Sequence, residues 1–115
     1  MSSPTIRLDE QKILITGVSR PLGIGATLAR RIAEAGAKVA IHGFSEYDLQ
    51  MNHNSAILNG TEILKKQLCD SGLDVITVTP GDLEQPFVAE RAVDEAVEKL
   101  GGLDGLILNH CYGTI

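Results

Sequence analysis

Lys12-Ile13-Leu14-Ile15-Thr16-Gly17-Val18-Ser19-Arg20-Pro21-Leu22-Gly23-Ile24-Gly25 is the passage on which the fold turns. Its apolar, β-branched opening, bounded by Gly17, has the length and composition of a buried strand over 12–16. Past Gly23, the residues Ile24, Leu28 and Ile32 recur every four positions, which predicts a helix over 23–35 with these three on its inner face. The glycines therefore fall between strand and helix. There the backbone N–H groups and the positive end of the helix dipole face an anion, and no Cβ prevents close approach. A plain tight turn would use glycine as well. Gly17 and Gly23 are separated by five residues with no lysine following, so this is not a Walker loop, and the segment lacks the third glycine of G-x-G-x-x-G.

Working outward, Gly36 stops the first helix and the short β-branched run 38–42 predicts a second strand. Residues 43–54 are polar and aperiodic, which predicts a long loop on the ligand side of the sheet. A helix follows over 55–71, its start blurred by Gly60 and its exposed face carrying a Glu62–Lys66 pair. Residues 74–79 read as a third strand ended by Pro80-Gly81. Residues 87–100 place Val88, Ala92, Val93, Ala96, Val97 and Leu100 along one helical stripe. Residues 104–109 supply a fourth strand. Strands alternating with helices predict βαβ units, hence an α/β doubly wound parallel sheet with about four strands and three helices. The turns after Ile15, Ile41, Val78 and Leu108 then converge at the carboxyl edge, gathering Gly17–Gly25, Ser45, Asp82 and Asn109.

Composition fits one soluble domain: 115 residues, 43% hydrophobic, 22% charged and no tryptophan, so aliphatic side chains must form the core. A net charge of −5 gives no general basic field for nucleic acid or an anionic membrane. The pairs Arg30-Arg31 and Lys65-Lys66 read as solvated helix faces. No apolar run approaches the ~20 residues of a membrane span, and the first four residues lack a secretory pattern, so a cytoplasmic location is expected. Cys69 and Cys111 suggest no disulfide framework, and His42, His53 and His110 have no metal-ligand spacing.

Thr16-Gly17 with Gly23-Ile24-Gly25, Asp82-Leu83 after the third strand, and Leu106 to Cys111 at the fourth together resemble the short-chain dehydrogenase/reductase family, including its β-ketoacyl carrier-protein reductase-like members. The resemblance covers nearly the whole chain and implies a Rossmann-type sheet. It implies that Gly17, Gly23 and Ile24, with Ser19 in the same turn, line a pyrophosphate. Asp82, beside Leu83, would hydrogen-bond the adenine amino group, and Asn109 would fix the cofactor-side loop. The chain departs from the family in two places: its glycine turn is longer by two residues, and Leu108, His110 and Cys111 stand where the LVNNAG segment has Asn, Ala and Gly. No acid occupies 42–45, Arg20 lies in the glycine turn, and Ser45 could reach a 2′-phosphate, which favours NADP(H) over NAD(H). Glu46, at roughly the offset of a ribose-binding acid, is the competing signal.

The catalytic Ser, Tyr and Lys that the resemblance implies have no counterpart here: four residues past Tyr47 is Met51, and Tyr112 is three residues from the last. Residues 1–115 are therefore expected to be the NAD(P)-binding part of a single domain in a longer oxidoreductase, inactive alone, with a small carbonyl or alcohol substrate. A self-pairing open strand edge makes a homo-oligomer possible. The alternative is a non-catalytic nucleotide-binding or assembly module.

Overall fold

The computed structural model describes residues 7–20, 23–44 and 60–109. Four parallel strands, β1 (Lys12–Ile15), β2 (Lys38–Ile41), β3 (Val75–Thr77) and β4 (Gly105–Ile107), form one sheet in the order β3-β2-β1-β4. Helices α1 (Ile24–Glu34), α2 (Gly60–Asp70) and α3 (Pro86–Leu100) alternate with them. All strands are parallel, so their carboxyl ends share one edge, as the sequence predicted.

Alternate strand residues face opposite sides. Ile13, Ile15, Val39, Ile41 and Val75 pack with Ala26, Ala29, Ala33, Leu64 and Leu68, which places α1 and α2 on one face. Leu14 and Ala40 pack with Ala92, Ala96 and Leu100, which places α3 on the other. Both central strands are thus covered on both sides, the arrangement that makes their sequences almost wholly apolar.

The helices turn their faces differently from expectation. In α1 the buried stripe is Gly25, Ala26, Ala29 and Ala33, while Ile24 is 70% exposed and Leu28 and Ile32 are only partly buried. The helix sits so close to the loop at Gly25 that this residue sets the rotation, and Ile24, about 100° round the axis, is carried outward. In α2, Thr61, Leu64 and Leu68 are buried and Ile63 is largely exposed. The expected Glu62–Lys66 pair does not form: Lys66 pairs with Asp70 at 3.0 Å, and Glu62 accepts from the Thr77 hydroxyl at 2.7 Å. Val97 of α3 also lies outside its buried stripe.

Strand β3 is shorter than predicted; beyond it the Val78 N–H still reaches the Ile41 carbonyl at 3.1 Å, and the outward Thr79 N–H donates to Glu95 at 2.9 Å. Lys99 joins the same anchor, pairing with Glu95 at 2.9 Å and donating to the Thr77 carbonyl at 3.0 Å. Burial pushes the Glu95 carboxyl up, but the Thr79 N–H, the Lys99 ammonium and the Thr79 hydroxyl outweigh it and hold the group below its ordinary 4.5. A depressed folded value means stability present above the unfolded value and lost as pH falls through the folded one. Urea midpoints should therefore fall as pH drops below about 4.5. Glu95→Gln should remove part of that fall, and an identical profile would show that Glu95 is not the group responsible.

Strand β4 starts one residue late because Asp104 serves as a clamp. Its carboxylate accepts from the Lys12 N–H at 2.9 Å, and its own N–H donates to the Lys12 carbonyl at 2.7 Å. The opposite end of β1 is left to the glycine loop. Among the described residues no helix is long and apolar enough to cross a membrane, and no cluster of three metal-ligating side chains occurs.

Candidate functional site

The loop leaving β1 is tied to three elements at once. Thr16 N–H donates to Ile107 of β4 at 3.0 Å, and the Thr16 hydroxyl accepts from the Asn109 N–H at 3.1 Å. Gly17, at φ 75°, takes a left-handed conformation that reverses the strand direction. Its carbonyl accepts from Asn109 Nδ2 at 3.2 Å. Val18 N–H donates to the His42 carbonyl of the β2 end at 2.8 Å, and the Val18 carbonyl accepts from the Thr61 hydroxyl at 2.6 Å. Asn109 is thus bonded to the loop at two points, Thr16 and Gly17.

Gly23 closes the loop by donating to the Arg20 carbonyl at 3.0 Å, and it also caps α1. Among the described residues no side chain caps this helix, whose start lies at the carboxyl edge of the sheet. A Cβ on Gly23 would lie 3.4 Å from Arg20 Cβ and 3.5 Å from its Nε, so the Arg20 side chain runs alongside this glycine. At Gly25 a Cβ would come within 2.7 Å of the Gly17 carbonyl and 2.8 Å of Asn109 Nδ2. Gly25 therefore packs helix against loop, a role distinct from that of Gly23.

The third turn reaches the loop through histidine. His42 is 2% exposed, and its Nε2 donates to the Gly81 carbonyl at 3.0 Å, which fixes the start of the β3–α3 turn beside the β2 end. Asp82 is half-buried, and one carboxylate oxygen accepts from the Glu84 N–H at 2.9 Å, so it shapes its own turn. Leu83 packs against the core on the α3 face. Gly17, Ser19, Arg20, Gly23 and Ile24 share the loop and helix start, and Asn109 is bonded to the first of them, Gly17. Ser45, Glu46, Pro21, His110 and Cys111 lie outside the described residues.

The sequence reading passed over Thr61, Gly43 and the structural use of His42. The structure supplies the signal for Thr61, a buried polar residue in the first turn of a helix whose hydroxyl needs a partner. The groove along α3, lined by Phe87, Glu90, Arg91, Asp94, Glu95 and Glu98, carries four carboxylates to one guanidinium and does not suit a phosphate.

This carboxyl-edge loop, on this strand order, is accompanied by a direct match. The family model described as short chain dehydrogenase covers residues 11–113. The chain belongs to the short-chain dehydrogenase/reductase family. It is 35% identical over 104 residues to the hydroxysteroid 11-beta-dehydrogenase 1-like protein of Gallus gallus, covering 90% of this chain and 31% of that protein. It is 32% identical over 107 residues to the glucose 1-dehydrogenase of Gluconobacter oxydans, covering 92% of this chain and 35% of that enzyme. A crystal structure of a dehydrogenase/reductase from Sinorhizobium meliloti 1021 superposes with a TM-score of 0.73 at 28% identity, over 91% of this chain and 36% of that one. The chain spans about a third of the length of these short-chain dehydrogenases.

The family is one of oxidoreductases that use a nicotinamide dinucleotide, and the four-stranded sheet here is its Rossmann-type fold.

Proposed function

We propose that residues 1–115 form the NADP(H)-binding part of a single Rossmann domain in a reductase or dehydrogenase of small carbonyl or hydroxyl substrates. Gly17, Ser19, Arg20, Gly23 and Ile24 face the pyrophosphate, Asp82 and Leu83 take the adenine side, and Asn109 holds the loop. The observation that carries this reading is Gly23. Its backbone, at φ −86° and ψ 176°, suits any residue, and its nearest described neighbours stand at ordinary contact distance. Neither conformation nor packing asks for glycine there, whereas a phosphate seated on the uncapped helix start does. The chemistry the cofactor supplies is hydride transfer; the chain's own part is to bind and orient it.

NADP(H) is favoured over NAD(H) because the β2 end, His42-Gly43-Phe44, offers no carboxylate for a ribose 2′-hydroxyl, while Arg20 lies beside Gly23. Catalysis belongs to Ser, Tyr and Lys residues supplied by the two thirds of the relatives' length that this chain does not span, so these 115 residues by themselves are inactive.

Calorimetric titration of the intact protein with NADPH and NADH tests the reading, together with Gly23→Val. The variant should fold normally yet lose one or two charge-assisted hydrogen bonds to phosphate. At about 1.5–3 kcal/mol each, that is a ten- to hundredfold loss or more. Unchanged affinity in Gly23→Val would move the phosphate elsewhere. A folded protein that binds neither dinucleotide would leave the assembly-module reading.

A further inference from the structure

We infer that Thr61, at the start of α2 and outside the glycine motif, is a positioning residue that sets which side of the Val18–Ser19 peptide faces the cofactor phosphates. The inference rests on the dinucleotide reading of the loop. The Thr61 hydroxyl is buried and donates to the Val18 carbonyl at 2.6 Å, the shortest of the bonds that tie the loop to its surroundings. In a planar trans peptide the C=O and the following N–H point in opposite directions. Holding the Val18 carbonyl toward α2 therefore turns the Ser19 N–H away from α2. Among the described residues nothing accepts from that N–H, although Ser19 is only 5% exposed.

The preceding peptide shows the contrast. The Gly17 carbonyl is held by Asn109 and the Val18 N–H by His42, so both ends are taken by the scaffold. The Val18–Ser19 peptide, by contrast, is held at its carbonyl, and among the described residues its N–H has no acceptor. Rotation of this peptide would turn Val18 ψ and Ser19 φ, and the bond from Thr61 is what holds its carbonyl in place. A rotated peptide would present carbonyl oxygen to an anion and repel it. Gly43 supports the same bond, because a Cβ there would occupy the place of the Thr61 hydroxyl and lie 2.7 Å from the Val18 carbonyl.

The test compares wild type, Thr61→Val and Thr61→Ser in the intact protein, titrated with NADPH, ADP and adenosine. Thr61→Val keeps the shape and removes the donor. It should weaken NADPH and ADP about tenfold while adenosine affinity stays within twofold, and Thr61→Ser should restore the phosphate-dependent part. A role in packing alone would lower thermal stability with equal affinity for all three ligands in the folded variant, and that result overturns the inference. Wild type that binds none of the three overturns the dinucleotide reading itself. Should Thr61→Val fail to fold, the Ser19 amide resonance of the wild type decides. Movement on addition of ADP, absent with adenosine, supports the assignment, and an unmoved resonance overturns it.

Discussion

Gly25→Ala should lower the stability of the fold by about 1–3 kcal/mol, the usual range for overpacking a close contact, and remove measurable dinucleotide binding along with it. The added methyl would sit 2.7 Å from the Gly17 carbonyl, 2.8 Å from Asn109 Nδ2 and 3.1 Å from a Val18 methyl. None of these has room to yield. The Gly17 carbonyl and Asn109 are bonded to each other at 3.2 Å, and Val18 is held at its N–H by His42 and at its carbonyl by Thr61. Helix α1 must therefore lift from the loop, carrying with it the first-turn N–H groups on which an anion would rest. Urea denaturation read beside NADPH titration checks both effects. An unaltered midpoint would mean that α1 does not pack against the Gly17–Val18 loop as closely as these contacts require. Paired with Gly23→Val, which should lose binding and keep stability, the result separates a glycine needed by the fold from one needed by a ligand.

Gly43→Ala should be nearly as damaging, by a different route. The methyl would collide with the Thr61 hydroxyl, approach the Val18 carbonyl to 2.7 Å and touch Ser19 Cβ at 3.0 Å. The buried bond between Thr61 and Val18 is then broken, leaving a buried donor or acceptor unpaired at a cost of about 1–3 kcal/mol. Thermal melts of Gly43→Ala, Thr61→Ala and the double variant measure the coupling. Removing the Thr61 side chain clears part of the space, so the double variant should be less destabilised than the sum of the singles. Strict additivity would show that residue 43 acts on the loop without involving α2.

The sheet was legible in the sequence because its strands are short, continuous apolar runs punctuated by glycine, as in 12–15 and 38–41, and because the intervening segments have helical period. The orientation of α1 was not legible. Its pattern of large apolar residues favours Ile24, Leu28 and Ile32, but close approach is decided by the smallest residues, and Gly25, Ala26, Ala29 and Ala33 line the contact. Hydrophobicity ranks residues by what they gain on burial; it carries no measure of how near two backbones come. Side-chain pairing failed for a related reason. Spacing matched Glu62 to Lys66, yet Thr77, fifteen positions on, offered Glu62 a better placed donor. At the site, the glycine turn and Asn109 could be read from motif spacing, whereas Thr61, 43 residues beyond Val18, carried no local pattern that joined it to the loop.

The clamp between Lys12 and Asp104 and the bond between Gly17 and Asn109 each span 92 positions of chain. Lys12 meets its β2 neighbour Lys38 after only 26 (38 − 12). Closure entropy rises with the logarithm of the span, so drawing β4 to β1 directly costs about 1 kcal/mol more than pairing β1 with β2. Contacts between distant segments are also the slow ones to form. The β1–β2 unit can therefore gather around α1 while the glycine loop still lacks its asparagine. Among the described strands, the β1–β4 contact beside the glycine loop thus closes the longest span and is topologically the slowest of these pairings to form.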